Sequence, residues 1–271
     1  MKLASQLKVI MDSSRKSWLV VVRCGDESKH QDWLEPARSN RLWDLGISYY
    51  GDQPGRFADD ADYYTYFKGG KWDGIFDFFS KFSDQLPAYD FIWLPDDDIE
   101  TDAGSIENLF ALANQYGLQL CQPALTRDSI YSYSITREVP GLTLRHTNFV
   151  ELMAPLMSAS FFEGALPMFE GRPTGRTLDW VWPNMVQDRS LHVAVVDAVP
   201  VGHHRPLQRH LWNNLKRLGV NPDEEKKSNQ DHYGGQFVVP LTHGAIDKFG
   251  RRMGRVSYYA RRILATLGWR F

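Results

Sequence analysis

Residues 91–102 read FIWLPDDDIETD. Four apolar residues closed by Pro95 predict a short buried strand. Three consecutive carboxylates cannot follow that strand into a core, so it must end at a surface or a polar site. Carboxylates this close raise one another's pKa, and a divalent cation relieves the repulsion. Mg²⁺ and Mn²⁺ favour oxygen ligands, taking one or two carboxylates plus phosphate oxygens and water. On extended backbone Asp96 and Asp98 project to one side and Asp97 to the other. Asp98 is therefore assigned to a metal, with Asp96 reaching a ribose or the metal through water. The competing reading is a solvated acidic turn that caps a helix starting near Asp102.

The rest of the chain repeats the same alternation. Residues 18–23 (WLVVVR), 45–50 (LGISYY), 118–122 and 192–199 (HVAVVDAV) predict buried strands, several ending in Gly or Asp turns. Residues 149–157 (FVELMAPLM) predict a further strand or buried segment. Residues 72–82 (WDGIFDFFSKF) carry Ile75, Phe76, Phe79 and Phe82 on one helical face. A second helix is expected over residues 104–116, and shorter ones over 160–168 and 178–186. Strands alternating with helices predict an α/β domain with a mixed, mainly parallel central sheet flanked by helices. Ligands of such sheets sit at the carboxyl ends of strands. The polar segment 221–236 (NPDEEKKSNQDHYGGQ) is expected to be a mobile loop.

Other residues that can carry chemistry fall at strand and helix ends. Gly202-His203-His204 follows the strand 192–199, and His203 or His204 can complete a metal's coordination. Asp179 opens a helix, where it is either a cap or a general base toward a hydroxyl. Glu151 lies in an apolar segment and needs a partner, either acceptor hydroxyls or an Arg such as Arg145. In KGGKW (residues 68–72) the glycines permit close backbone approach, and Lys68 or Lys71 can balance diphosphate charge. Cys24 and Cys121 read as two reduced, buried thiols. From Lys248 onward, arginines alternate with Met253, Val256, Tyr259, Ile263, Leu264 and Leu267, a basic face beside an apolar one. That pattern suits either docking on anionic lipid or packing on the domain.

The runs LQLCQPALTRDSIYSYSITRE, RHTNFVELMAPLMSASFF and GRTLDWVW, with KGGKW and the acidic cluster, resemble an uncharacterised glycosyltransferase-like family (domain of unknown function 707). The resemblance spans about residues 18–206. That family is similar to the GT-A nucleotide-sugar transferases, with a Rossmann-like fold. It implies an Asp-x-Asp at Asp96 and Asp98, an acidic catalytic residue at Asp179, and a late metal-binding His at His203 or else His204. It implies nucleotide contacts near Arg23, Cys24 and Gly25, with Asp96 and Asp97 beside the nucleotide.

The expected activity is transfer of a sugar from a nucleotide-diphosphate donor to a glycan or lipid-linked acceptor, assisted by Mn²⁺ or Mg²⁺. Asp179 and Glu151 are the catalytic candidates. A metal-dependent nucleotidyltransferase or phosphohydrolase also uses clustered carboxylates on an α/β sheet. A degenerate transferase fold serving as a binding protein is the non-enzymatic reading. The net charge of −2 gives no reason to expect a nucleic-acid partner. The first residues lack a signal-peptide core, so a cytoplasmic protein is expected, peripheral to a membrane through residues 248–271. A catalytic domain over residues 1–245 and a basic amphipathic helix over 246–271 complete the expected organisation.

Overall fold

The computed structural model describes residues 16–35, 40–84, 89–205, 219–234 and 236–266. Residues 1–15 of the N-terminal segment and 267–271 of the basic tail, including Leu267, lie outside the described residues. The strands are β1 (Trp18–Cys24), β2 (Trp43–Tyr49), β3 (Tyr63–Tyr66), β4 (Phe91–Trp93), β5 (Ile99–Glu100), β6 (Leu120–Leu125), β7 (Leu142–Thr147), β8 (Leu156–Ser158), β9 (Val193–His203), β10 (Thr242–Asp247) and β11 (Arg252–Gly254). The α-helices are α1 (Lys71–Lys81), α2 (Ala103–Gln115), α3 (Ala159–Ala165), α4 (Leu178–Val181), α5 (Arg189–His192), α6 (Pro222–Tyr233) and α7 (Arg255–Thr266).

Alternation along β1 explains the layering. Val20, Val22 and Cys24 join one core with Trp93, Ile106 and Phe110, which α2 covers. Leu19 and Val21 join the opposite core with Ile75, Phe78 and Phe162, which α1 and α3 cover. Successive side chains of a strand point to opposite faces, so a run such as WLVVVR must be buried on both. Asp102 caps α2, its carboxylate accepting from the Ser105 amide at 2.9 Å.

The sheet order is β11-β10-β7-β9-β6-β8-β4-β1-β2-β3, with β5 paired to β9. The expectation of a mainly parallel sheet is corrected. β1, β2, β3 and β4 pair in parallel, as do β6 and β9, but β8 runs antiparallel to both β4 and β6. β7 is antiparallel to β9 and β10, and β10 to β11. An apolar run reports burial, whereas strand direction is decided by the connections. The segment 149–157 shows how. β7 ends at Thr147, residues 149–153 cross as irregular backbone with Phe149 and Val150 buried, and β8 then returns between β4 and β6.

Two further expectations change. Residues 221–236 are mostly helix, because Asn221 caps α6, Pro222 opens it and Gly234 closes it at φ 67°. This helix docks through buried Glu225 and Asn229 rather than an apolar stripe. The boundary at 245/246 falls inside β10, so the tail begins as part of the sheet.

Arg145 pairs with Asp197, not Glu151. Its Nε and Nη2 donate to the carboxylate at 2.8 and 3.0 Å, with both side chains at most 1% exposed. The guanidinium also donates to the Ile135 and Arg137 carbonyls. Arg145→Met leaves Asp197 buried without its counter-charge. It is expected to destabilise the fold by about 3–5 kcal/mol in urea denaturation, and a paired Asp197→Leu change to recover part of that loss.

Candidate functional site

β4 and Pro95 deliver the three aspartates to one point, where each finds a different cation or donor. Asp96 meets Lys71, whose Nζ donates to Oδ1 at 2.6 Å and to the Leu152 and Met153 carbonyls at 2.7 and 3.0 Å. Lys71 thus ties the start of α1 to the irregular segment before β8. Burial raises Asp96 above the usual carboxylate range against the pull of Lys71. Asp97 turns the other way, accepting from the Gly25 amide at 2.7 Å and the Tyr50 hydroxyl at 3.4 Å. Arg205 approaches its other oxygen at 3.3 Å. Burial still pushes Asp97 up to about 6.

Asp98 faces His203, with Oδ2 to Nε2 at 3.5 Å. His203 Nδ1 donates to the Ile130 carbonyl at 2.8 Å, which fixes the ring with Nε2 toward Asp98. The bond to Asp98 raises His203 to about 9. Burial opposes the charge on Asp98, but His203 and Arg205 outweigh it and hold the carboxyl low. β5 carries Ile99 opposite His203, so a two-residue ladder brings the aspartates and the end of β9 together. His204 instead points to Glu100 at 2.9 Å and Asp128 at 3.4 Å.

A second group converges from the other side. Glu151 sits on the irregular crossing, its amide held by Gln122 Oε1 at 2.6 Å and its carboxyl bonded by Ser132. Burial lifts it to about 7, with Asp96 adding to the rise and His203 and Lys71 opposing it. Asp179 also reaches about 7, through burial first and the nearby Glu151 second. Glu151 thus stands between Asp179 and the charges of the aspartate cluster, interacting with both. Thr177, just before α4, holds φ at 81°, a conformation costly for a threonine. Its Oγ1, Glu151 Oε2 and Asp98 Oδ1 are all buried without hydrogen-bond partners among the described residues. A buried polar atom left unmet is where a polar ligand can add a bond.

Several expected contacts are used within the protein. Arg23 donates to Ser48 Oγ at 2.9 Å, to the Ser48 and Phe67 carbonyls, and to the Gly69 carbonyl at 2.9 Å, bracing the KGG turn from below. Burial lowers it to about 10. Cys24 is fully buried against His30 and Ser28, and burial pushes its thiol up. Lys68 binds the Gly51 carbonyl and Asp52 at the surface. Gly70 lies where any side chain would meet the Pro173 carbonyl, so the KGG turn and the segment before α4 are in direct contact. Glu225 of α6 holds that same segment through the Thr174 and Gly175 amides at 3.0 and 2.7 Å.

Arg205 is a site residue not anticipated from the sequence, although its place two residues beyond His203 was a signal. Ser132, Tyr50 and Thr177 carried none.

Among the described residues no three His, Cys, Asp or Glu side chains are already arranged to hold a metal ion. The donor chemistry nonetheless fits one. A carboxylate with an unmet oxygen stands beside an imidazole whose far nitrogen is pinned to a carbonyl, the usual support of a metal-binding histidine. Two protein donors suffice where phosphate and water supply the rest.

No protein-family model and no curated protein matches the chain, so the family resemblance gains no model match. Among solved structures the chain is similar to S. aureus TarS, at TM-score 0.43 and 6% identity over 80% of this chain and 44% of that one. It is also similar to TarS 1-349 in complex with UDP-GlcNAc, at TM-score 0.47 and 8% identity over 72% of this chain and 60% of that one. The complex of the same protein with UDP gives 0.46 and 6% over 79% and 71%. The chain thus spans about half the length of the first two. Scores at this level leave architecture and chemistry to be read from the chain itself.

Burial of Asp179 has a consequence for stability. Its carboxyl ionises near 3.9 in an unfolded chain and at about 7 in the fold. Below pH ~4 both states are protonated and no penalty exists. As pH rises toward 7 the unfolded state ionises first and stability falls, reaching its full loss above 7. Asp179→Asn is expected to be more stable than the parent at pH 8 by ~2 kcal/mol in urea titrations. The difference should close as the pH is lowered toward 4.

Proposed function

We propose that the chain is a glycosyltransferase acting on a nucleotide-diphosphate sugar. One observation carries the reading: two buried carboxyls raised to about 7, Asp179 and Glu151, of which Glu151 also interacts with an aspartate cluster interleaved with Lys71, His203 and Arg205. A transferase of this kind must do two opposed things a few ångströms apart. It must take a proton from an acceptor hydroxyl, and it must receive negative charge on a departing diphosphate. Carboxyls poised near neutrality suit the first, and fixed cations suit the second.

In this reading Asp179 takes the acceptor's hydroxyl proton, and Glu151 and the Thr177 hydroxyl hold that acceptor through the oxygens now unmet. The acceptor oxygen bonds to the anomeric carbon as the carbon–oxygen bond to the diphosphate breaks. Lys71 and Arg205 shift from carboxylates toward the diphosphate as its charge grows. Gly25 and Tyr50 line the donor side. A divalent ion, Mg²⁺ or Mn²⁺, would be held by Asp98 and by His203 after loss of its Nε2 proton, with Asp96 adjacent, and would supply in place of that proton the neutralisation of the leaving group. The acceptor class, a glycan or a lipid-linked sugar, belongs to the same proposal.

Thermal melting with UDP, GDP and ADP, each with and without Mn²⁺, tests the donor side. At least one nucleotide should raise the melting temperature more with the ion present, and Asp98→Asn should abolish that extra rise while folding normally. No shift across the panel would remove the donor assignment. For the chemistry, Asp179→Asn should keep the nucleotide-sugar shift but lower transfer by about 10²–10⁴-fold. In the parent, kcat/KM should climb with pH and level off above about 7, as the carboxyl pair loses its proton. Transfer undiminished in Asp179→Asn would take the base assignment away.

A further inference from the structure

From residue 248 to the last, the chain has seven Lys and Arg and no Asp or Glu. The final acid, Asp247, is buried and committed: its carboxylate accepts from the Phe249 and Arg251 amides and pairs with Arg251 at 2.7 Å. That bonding, with Gly250 at φ 79°, shapes the β10–β11 turn and sets Phe249 into solvent at 70% exposure. Lys248 and Arg251 lie over its ring, 5.2 and 5.1 Å from the centroid.

α7 continues the pattern. Tyr258 turns inward and is buried with Leu142 and Ala245. At 100° per residue, Val256 and Ile263 fall on the side away from Tyr258, and they are 84% and 61% exposed. Arg255 and Arg262 lie together on one side of that stripe, roughly 100° round the helix from it. The turn and the helix also adjoin, since the Lys248 amide donates to the Gly141 carbonyl at 3.1 Å and the Arg261 guanidinium lies beside Gly141. Val256 and Ile263 thus form the outward face of α7, with the exposed Phe249 on the preceding turn and only cationic charges in the segment.

We propose that this face docks on an anionic lipid bilayer. Apolar side chains set outward among arginines match the layering of a membrane surface, with acyl chains beneath phosphate headgroups. Long cationic side chains keep their charge at headgroup level while their stems and the aromatic ring sit deeper. Charge selects this occupant over a second copy of the chain, because two such faces would bring like charges together. The inference does not rest on the nucleotide-sugar reading, and nucleotide melting shifts report on that reading separately.

Co-sedimentation of the full chain with vesicles is the test. Vesicles of phosphatidylcholine mixed with phosphatidylglycerol should capture at least about tenfold more protein than phosphatidylcholine alone, and high salt should release it. The double change Phe249→Ser with Val256→Ser should lower capture about tenfold with an unchanged circular dichroism spectrum and melting temperature, since both side chains are exposed. Arg252→Gln with Arg255→Gln should do the same. No capture by anionic vesicles, equal capture by neutral ones, or full capture by the serine variant would each overturn the proposal. So would light scattering that shows a dimer lost in the serine variant while vesicles are ignored.

Discussion

Everything at the candidate site depends on how a low-dielectric fold accommodates carboxylates at the end of β4. Each aspartate is neutralised from a different part of the chain: Asp96 by Lys71 from α1, Asp97 by the Gly25 amide and Arg205, Asp98 by His203 from β9. Removing buried charge from water is so unfavourable that these partners must arrive together. The cluster therefore acts as a clasp, joining β1, α1, β4 and β9. The same contacts that hold the fold keep cations beside the place where a diphosphate would gain charge.

The opposite wall uses the reverse arrangement. Among the described residues Glu151 and Asp179 are buried without an ion-pair partner, and burial raises their pKa. Thr177, two residues before Asp179, is held in a strained backbone. Strain and unmet polar groups lower stability, and proteins concentrate them where chemistry is done. Arg145 and Asp197 show the contrast, for they carry equal burial with full pairing and brace strands away from the site.

Much of this was legible in residue order alone. Asp102 as a cap, the paired cores of β1, the apolar face of α1 and the strand ending at His203 all follow from local patterns of period two or 3.6. The same patterns place Asp96 and Asp98 after a strand, Asp179 at a helix start and His203 at a strand end. The α6 helix was misread although its cap, its proline and its closing glycine were in view. The missing sign was an apolar stripe, because α6 docks through polar groups.

The sequence by itself determined which segments are buried, where they stop, and which carboxylates stand at the stops, since burial and capping are properties of neighbours in the chain. Only the tertiary structure decided strand direction, for an apolar run pairs equally well either way until the connections choose. It alone decided that Lys71 rather than Lys68 meets Asp96, that Arg23 turns inward while Arg205 turns to the aspartates, and that Glu151 faces Asp179 instead of Arg145. These are encounters across dozens of residues, and their energies depend on distance and burial that no local pattern encodes.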